Sequence, residues 1–383
     1  MERRKNPNDK FGFIKLKMHK IFEDIFLDET KYATKIKTNE YHKTGKYMII
    51  DQGQDNIAGY TDLEEGLYTN LPAIIFGDHT RVIKYVDKPF YLGADGTKIL
   101  RSKIDNANYK YLYYALKNCK IPNTGYNRHF KWLKGTEIYF PNKKKQKEIV
   151  ENLDKVNETI SKQKKYIEKL DELVKARFVE MFGTYPANPM GWETGKIRDT
   201  VADVRYGSSR PAVDGGKYPY LRMNNITYGG ELDLSDVKRI DVPANELDKC
   251  TVRRGDVLFN RTNSKELVGK TCVYNRDEMM VLAGFVIRVR VNNRVLPEFL
   301  SAFLNTDFSK KALSEMCKAA IGQANINAQE MQNIGLYLPP LELQRQFVQF
   351  KKQVDKSKLA VQQSLEKTQL LFDSLMQEYF GEN

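Results

Sequence analysis

Two stretches of the chain carry apolar residues along one side of a helix; in the first they recur at alternating steps of four and three, the spacing of a narrow packing stripe, and in the second the pattern is less regular. Between Ile149 and Met181, eight of the ten stripe positions are apolar, and Gln163 and Arg177 are the exceptions. The predicted seam positions are Ile149, Leu153, Val156, Ile160, Ile167, Leu170 and Val174 in the first stretch, and Phe347, Val354, Val361, Leu365 and Phe372 in the second. Further apolar residues on the same side of the second stretch are Phe350, Leu371, Leu375 and Met376.

Outside these helices the pattern changes to short β-branched and aromatic runs separated by Gly, Asp and Asn, which predicts strands joined by turns. The runs cover residues 46–50, 73–76, 81–86, 218–223, 256–260, 271–274 and 285–291. Helices are predicted at Tyr109–Lys117 and at 297–317, the latter with proline in its first turn. Two mixed α/β modules are therefore expected.

The chain repeats itself at an offset of 198 residues. Residues 138–141, Gln146 and Gly183 recur as 336–339, Gln344 and Gly381. Self-similarity at a fixed offset indicates a duplicated structural unit. We predict five segments: an N-terminal extension at 1–17, a first head at 18–141, a first spacer helix at 142–183, a second head at 184–339 and a second spacer helix at 340–383.

Chain connectivity predicts how the helices pair. The first helix carries the chain from one head to the next, and its roughly 41 residues span about 60 Å. The second must bury its own stripe, and folding back along the first helix does so within one chain. The predicted fold is α+β: two globular mixed α/β heads separated by two long antiparallel helices in an intramolecular coiled coil, with pseudo-two-fold symmetry. The alternative, pairing between two chains, has a lower effective concentration.

The charge favours a polyanionic partner such as DNA or RNA. The chain has a formal net charge of +13, and residues 1–141 contain 24 basic and 17 acidic side chains. The four cysteines lie far apart with no C-x-x-C pair, which favours a reducing cytosol and argues against disulfide scaffolding and a structural zinc site. No run of about 18 apolar residues is present, so no transmembrane helix is expected.

Motifs for catalysis are missing from the sequence. An amino-methyltransferase needs an [Asn/Asp]-Pro-Pro-[Tyr/Phe] turn, yet the Pro-Pro pair at 339–340 follows Leu338 and starts a helix. A phosphate-binding loop of the G-x-x-x-x-G-K-[Ser/Thr] type is also lacking. The four histidines have no metal-ligand spacing. We predict no catalytic and no metal-binding residues.

Several turns instead carry the side chains that read DNA, where Arg recognises guanine and Asn or Gln recognises adenine. The candidates in the first head are Gln52, Gln54, Asn56, Arg81, Lys98, Tyr126, Asn127, Arg128 and His129. Those in the second head are Ser208, Ser209, Arg210, Arg222, Asn224, Asn225, Arg261, Thr262, Asn263, Lys265, Gln323, Asn325 and Asn327. At the 198-residue offset, Asn127 matches Asn325 and His129 matches Asn327. The alternative is that Asn, Gly and Ser stand here for backbone reasons alone.

The chain resembles the DNA-specificity (S) subunits of type I restriction-modification enzymes along nearly its whole length. The resemblance rests on Tyr-Pro-Tyr-Leu-Arg at 218–222, Arg-Gly-Asp-Val-Leu-Phe-Asn-Arg-Thr at 254–262 and Leu-Pro-Pro-Leu-Glu-Leu-Gln at 338–344. The first half departs from it, with Phe-Pro-Asn-Lys at 140–143 in place of Leu-Pro-Pro. In that family, two target-recognition domains alternate with two helical spacers.

The resemblance implies a non-catalytic, cytoplasmic protein of a bacterium or archaeon that reads a bipartite, asymmetric target in double-stranded DNA. It also implies two methyltransferase (M) subunits and restriction (R) subunits as partners. S-adenosylmethionine, ATP and magnesium would belong to those partners, and this chain would hold no cofactor. Two alternatives stay open: the specificity module of a different restriction system, or a coiled-coil scaffold whose basic heads bind RNA or proteins.

Overall fold

The computed structural model describes residues 18–93, 95–125, 127–317 and 324–381 of the chain. The chain divides into two compact units, and neither coincides with one of the linear segments expected from the sequence. The first unit comprises residues 1–162 and 365–383, and the second comprises residues 163–364. Each unit therefore combines one head with part of both long helices.

The helices of the described residues are α1 Phe22–Ile25, α2 Tyr109–Lys117, α3 Phe130–Lys134, α4 Lys143–Phe182, α5 Ala244–Cys250, α6 Pro297–Leu304, α7 Asp307–Met316, α8 Ala328–Gln332 and α9 Leu341–Phe380. The strands of the first head are β1 His19–Ile21, β2 Phe26–Asp28, β3 Tyr47–Ile50, β4 Gly59–Thr61, β5 Ala73–Gly77, β6 Ile83–Val86, β7 Phe90–Leu92, β8 Thr97–Ser102 and β9 Glu137–Tyr139. Those of the second head are β10 Glu193–Lys196, β11 Val201–Tyr206, β12 Tyr218–Leu221, β13 Lys238–Ile240, β14 Thr251–Val252, β15 Val257–Asn260, β16 Thr262–Asn263, β17 Thr271–Val273, β18 Met280–Leu282, β19 Val286–Val291, β20 Ala324–Asn325 and β21 Gly335–Leu338.

The two heads share the arrangement of a four-stranded antiparallel sheet and of a second sheet with one parallel pair; the second sheet has three described strands in the first head and four in the second. The first contains an antiparallel sheet in the order β2-β8-β5-β6 and a second sheet, β4-β3-β7, in which β3 and β7 are parallel. The second head has β11-β19-β15-β17 and β13-β12-β18-β14, with β12 and β18 parallel. A short antiparallel ribbon closes each head, β1 with β9 and β10 with β21. The duplication found in the sequence is therefore also a duplication of this arrangement.

Local capping explains where the helices of the heads begin and break. Asn108 caps α2 by accepting a hydrogen bond from the Tyr111 amide at 3.1 Å. The predicted helix at 297–317 is wrong as a single element, because it is interrupted between α6 and α7. The hydroxyl of Thr306 accepts a hydrogen bond from the Ser309 amide at 3.3 Å and so starts α7 as a new helix.

The two long helices run antiparallel, as predicted. In the first unit, Ile149 and Leu153 from the start of α4 share a core cluster with Phe372 and Met376 from the end of α9. In the second unit the relation is reversed, and residues from the end of α4 pack with Phe347 near the start of α9. Both stripes are thus covered within one chain. The predicted fold class, mixed α/β heads with a long intramolecular helix pair, is confirmed.

The helix pair contains polar contacts that the apolar pattern did not predict. The side-chain amide of Gln163 donates to the hydroxyl of Ser364 at 2.9 Å. Lys358, whose side chain is 7% exposed, lies 2.6 Å from Asp171 and 2.8 Å from Glu231. Burial opposes its charge, but these carboxylates raise the pKa of Lys358 above its usual value. Leu371, predicted on the same side of the helix as the seam, is 51% exposed and lies outside the packed stripe.

A buried glutamine fixes the first turn of each long helix. The Gln146 amide donates to the Pro141 carbonyl at 2.8 Å, and the Gln344 amide donates to the Pro339 carbonyl at the same distance. The glutamine that recurs at an offset of 198 residues therefore has the same structural role in both copies.

Within the ranges that the structure describes, no helix has the length and apolar content to cross a membrane.

Candidate nucleic-acid interface

The candidate loops of the second head converge on one surface, and backbone hydrogen bonds join them. The Gly284 amide donates to the Ser208 carbonyl at 2.7 Å, and the Arg261 amide donates to the Phe285 carbonyl at 3.0 Å. The Ile326 amide in turn donates to the Arg261 carbonyl at 2.9 Å. We call the region formed by residues 206–210, 222–225, 261–265, 283–285 and 324–327 the second loop surface.

Arg261 is the best placed of the predicted residues on the second loop surface. Its guanidinium lies 5.0 Å from the ring centroid of Tyr206, a stacking contact that holds the planar group in a fixed orientation. The Tyr206 hydroxyl accepts a hydrogen bond from the Ala328 amide at 2.9 Å, so the ring is itself anchored. The Nε atom of Arg261 is buried and, within the described part of the chain, has no hydrogen-bond partner. Base contact by Arg261 stays a prediction.

Other predicted residues of this surface are exposed, and some are paired with carboxylates. Ser209, Asn224, Lys265 and Asn325 are exposed. Arg210 makes a two-pronged contact with Glu246 at 2.7 and 3.1 Å, and Arg222 lies 2.8 Å from Asp236. An acidic partner could bind Arg210 or Arg222 only by displacing the carboxylate of Glu246 or Asp236.

A further group has roles inside the loops. Asn225 is 2% exposed and donates to the carbonyls of Asp233 and Asp236. Asn327 caps α8 by accepting from the Gln329 and Glu330 amides, each at 2.9 Å. Three more side chains are held by local hydrogen bonds: Ser208 accepts from the Arg210 amide, Thr262 donates to Asn325, and Asn263 accepts from the Ser264 amide. These residues support the loop backbone, and base contact by any of them stays a prediction.

The first head brings its candidate loops together at the equivalent place. The Asp78 amide donates to the Gly96 carbonyl at 2.6 Å, and the His129 amide donates to the Asp78 carbonyl at 2.7 Å. The Thr80 hydroxyl donates to the Gln52 carbonyl at 2.6 Å. We call the region formed by residues 51–56, 78–81, 95–98 and 127–129 the first loop surface.

Some of the predicted side chains on the first loop surface are exposed, and others are hydrogen-bonded or paired within the head. Gln54, Asn56, Asn127 and Arg128 are exposed. Asn127 also donates to the Thr124 carbonyl. Of the other predicted side chains, Gln52 donates to the Asp95 carbonyl at 2.9 Å, Arg81 donates to the Ile121 carbonyl at 3.3 Å, and Lys98 lies 2.9 Å from Asp28. His129 is fully buried, with its Nδ1 3.0 Å from the Asp78 carbonyl. Tyr126 and Gln323 lie outside the described residues, as do residues 1–17.

His129 and Asn327 match at the 198-residue offset because each stands at the start of a short helix. His129 directly precedes α3, and Asn327 directly precedes α8. Because each residue occupies the cap position of a short helix, the offset of 198 residues aligns structural positions, and both side chains point to backbone partners. Base reading by this pair has no support from their placement.

Lys84 is a residue that sequence reasoning missed. Its side chain is 4% exposed, and its ammonium group donates to the carbonyls of Asp51 and Asp55 at 2.8 and 2.5 Å. Burial lowers the pKa of Lys84, and the nearby Asp51 carboxylate partly offsets this. Lys84 therefore ties the 51–56 loop to β6. The alternation in β6 contained the signal, because Lys84 shares its inward face with Val86.

Comparison with known proteins identifies the family. The family described as type I restriction modification DNA specificity domain matches residues 22–172 and 189–370. These two matches cover most of the sequence, and the chain belongs to this family.

Among the part of the chain that the structure describes, no group of His, Cys, Asp and Glu is arranged to hold a metal ion.

Individual relatives support the assignment. The chain is 23% identical over 227 residues to the type I restriction enzyme EcoKI specificity subunit of Escherichia coli strain K12, across 55% of this chain and 49% of the relative. It is 38% identical over 90 residues to the EcoR124I/EcoR124II specificity subunit of Escherichia coli, across 23% of this chain and 22% of the relative. The chain thus spans about half or less of the length of these relatives.

A solved structure shares the fold. The crystal structure of a type I restriction-modification system S subunit from M. genitalium superposes with a TM-score of 0.53, at 16% sequence identity. The superposition covers 95% of this chain and 96% of that one. At this identity the similarity concerns the arrangement of elements, and it says nothing about which bases either protein reads.

Proposed function

We propose that this chain is the DNA-specificity subunit of a type I restriction-modification complex and reads a bipartite, asymmetric target in double-stranded DNA with its two heads. The observation that carries the proposal is the convergence, in each head, of Asn-, Gln- and Arg-bearing loops on one surface. The two surfaces carry different side chains at equivalent backbone positions, so each head would read a different base sequence.

The partners follow from the family and remain part of the proposal. Two methyltransferase (M) subunits would bind this chain, and restriction (R) subunits would complete the nuclease. S-adenosylmethionine, ATP and magnesium would be bound by those subunits, and this chain would contribute recognition and no catalysis. Support comes from the family match and from curated relatives that are themselves named specificity subunits of type I restriction enzymes.

Selection from a random duplex library tests the proposal. The chain is co-purified with an M subunit encoded beside it and is mixed with duplexes containing random positions. We expect the recovered duplexes to share two specified blocks separated by unspecified base pairs, and duplex competitor to displace them better than RNA. Recovery without sequence preference, or preferential displacement by RNA, would instead favour the scaffold whose heads bind RNA or proteins.

Replacing Arg261 with alanine should weaken recognition of one base pair in the selected target. If the stacked guanidinium reads a guanine, the loss is about 1–3 kcal/mol at that position and near zero at the others. The measurement is the affinity for a panel of single-base variants of the duplex. Arg254→Ala is the matched control, because Arg254 is an exposed arginine paired with Asp277 outside the second loop surface. Uniform weakening across the panel would assign Arg261 to a phosphate.

A further inference from the structure

Phe285 of the second head has a large apolar side chain that is exposed to solvent. It lies in the turn between β18 and β19, and it is 51% exposed, whereas Val286 and Ile287 directly after it are fully buried. The Val286 amide donates to the Ala283 carbonyl at 2.9 Å, and the Phe285 carbonyl accepts from the Arg261 amide at 3.0 Å. The backbone is therefore fixed on both sides of the exposed ring.

The surroundings of Phe285 are polar and cationic. Arg261 is its backbone partner, and the 44% exposed Tyr206 contacts that arginine. The exposed Ser209 lies on a loop bonded to the same turn, and the exposed Asn325 lies on a loop bonded to Arg261. A protein-binding patch has a contiguous apolar centre. A single aromatic ring among forked donors is instead the arrangement that stacks on nucleic-acid bases.

The first head differs at this position. The Asp78 amide donates to the Gly96 carbonyl as the Arg261 amide donates to the Phe285 carbonyl, so Gly96 and Phe285 occupy equivalent backbone positions. Gly96 has a φ of +88°, and a Cβ there would lie 2.7 Å from the His79 ring and 2.9 Å from the Gln52 amide. A side chain at Gly96 would be strained and crowded, so at this backbone position only the second head carries a ring.

We propose that Phe285 inserts its ring between adjacent base pairs in the half-site read by the second head and unstacks that step. An aromatic wedge of this kind kinks the duplex and favours base steps that unstack easily, which adds specificity without a hydrogen bond. This inference rests on the proposed function of the chain. It adds a residue and a mode of reading that the resemblance does not assign.

Chemical probing of the selected duplex tests the wedge. Permanganate attacks unstacked thymines and diethylpyrocarbonate attacks unstacked purines, so together they report on every base pair. With the complex of this chain and the M subunit, we expect one step in the second head's half-site, other than the position of the base that the M subunit extrudes, to become at least about threefold more reactive. In Phe285→Ala the reactivity returns to that of free DNA, and affinity falls roughly 5- to 100-fold.

Two further variants separate a wedge from a general effect on folding. Phe285→Leu keeps an apolar wedge and should retain most of the reactivity, since leucine also intercalates. Tyr228→Ala removes a ring that is 55% exposed outside the second loop surface, and both reactivity and affinity should stay unchanged.

The outcomes distinguish the inference from the proposed function. Sequence-specific binding with no reactive step, or with a step that persists in Phe285→Ala, overturns the wedge and leaves the proposed function standing. A Phe285→Ala chain that no longer binds the M subunit places the ring in a protein interface and also overturns the wedge. A complex that selects no duplex sequence overturns the proposed function and the wedge together.

Discussion

Replacing Phe347 with alanine is expected to lower the free energy of unfolding of the second unit by about 3–5 kcal/mol. Phe347 is fully buried, and its ring lies 5.3 Å from that of Phe178 and 5.6 Å from that of Phe182. These contacts join the start of α9 to the end of α4. Truncation would leave a cavity at the point where both long helices meet the second head.

The second unit contains its own spectroscopic probe for this measurement. The Trp192 indole donates to the Phe182 carbonyl at 3.1 Å, beside the aromatic cluster, and the chain's other tryptophan, Trp132, lies in the first unit. In a Trp132→Phe background, urea unfolding followed by tryptophan fluorescence reports the second unit. Leu359→Ala is the control on the same helix and in the same unit, because Leu359 is 55% exposed and its loss should cost less than about 0.5 kcal/mol. Equal effects from both substitutions would contradict the observed helix packing.

Much of the architecture was predictable because it rests on local periodicity. The predicted helices at 142–183 and 340–383 are observed at Lys143–Phe182 and Leu341–Phe380. Their apolar stripes and the terminal proline and glycine are all encoded within the segments themselves. The repeat in the sequence predicted that the two heads share a similar plan. By contrast, the break at Thr306 depends on one hydroxyl that competes for a backbone amide, and a hydrophobic pattern does not record such competition.

Contacts between distant residues set the limits of prediction for the helix pair. Lys358 is a lysine at the position that Ile160 occupies in the first copy, and its buried charge depends on Glu231, which is 127 residues away. Nothing in the sequence near Lys358 signals that partner. The apolar period continues through the neighbouring residues, so the pattern indicates the helix but not the buried ion pair.

The candidate interface was predicted at the level of loops and not of individual side chains. Asn224 is exposed and the adjacent Asn225 is buried on backbone carbonyls, although both are asparagines in one turn. Chemistry alone cannot separate them, because the same amide group that reads adenine also caps a turn. Phe285 was missed for the opposite reason. Its apolar side chain fits the strand pattern that follows, and the strand itself begins one residue later at Val286.

The two heads keep the same backbone contacts while their side chains diverge. Asp78 and Arg261 occupy equivalent places in the hydrogen-bond network, and one is an acid that is 4% exposed whereas the other is a stacked guanidinium. Asp78 accepts a hydrogen bond from the Phe130 amide and so stabilises its own head. A duplicated scaffold with independently varied loops is what reading two unlike half-sites requires.

Exchanging residues 190–338 for the corresponding segment of another family member is expected to change one half of the target and to leave the other half intact. Strands β10 and β21 pair from Glu193 with Leu338 to Lys196 with Gly335, so the two junctions lie side by side in the fold. The second loop surface is contained in the exchanged segment, and the first is untouched. If the second head reads about three to five base pairs, each mismatch costs roughly 1–3 kcal/mol, and affinity for the original target falls at least about 10²-fold.

The reciprocal exchange of residues 19–139 is the matched control, because β1 and β9 pair His19 with Tyr139 and close the first head in the same way. It should alter the other half of the target. Both chimaeras are co-purified with the M subunit, and their targets are read by duplex selection and by mapping of methylated sites. A chimaera that binds the M subunit yet changes both halves, or neither, would contradict independent reading by the two loop surfaces. Retention of M binding separates that result from a failure to fold.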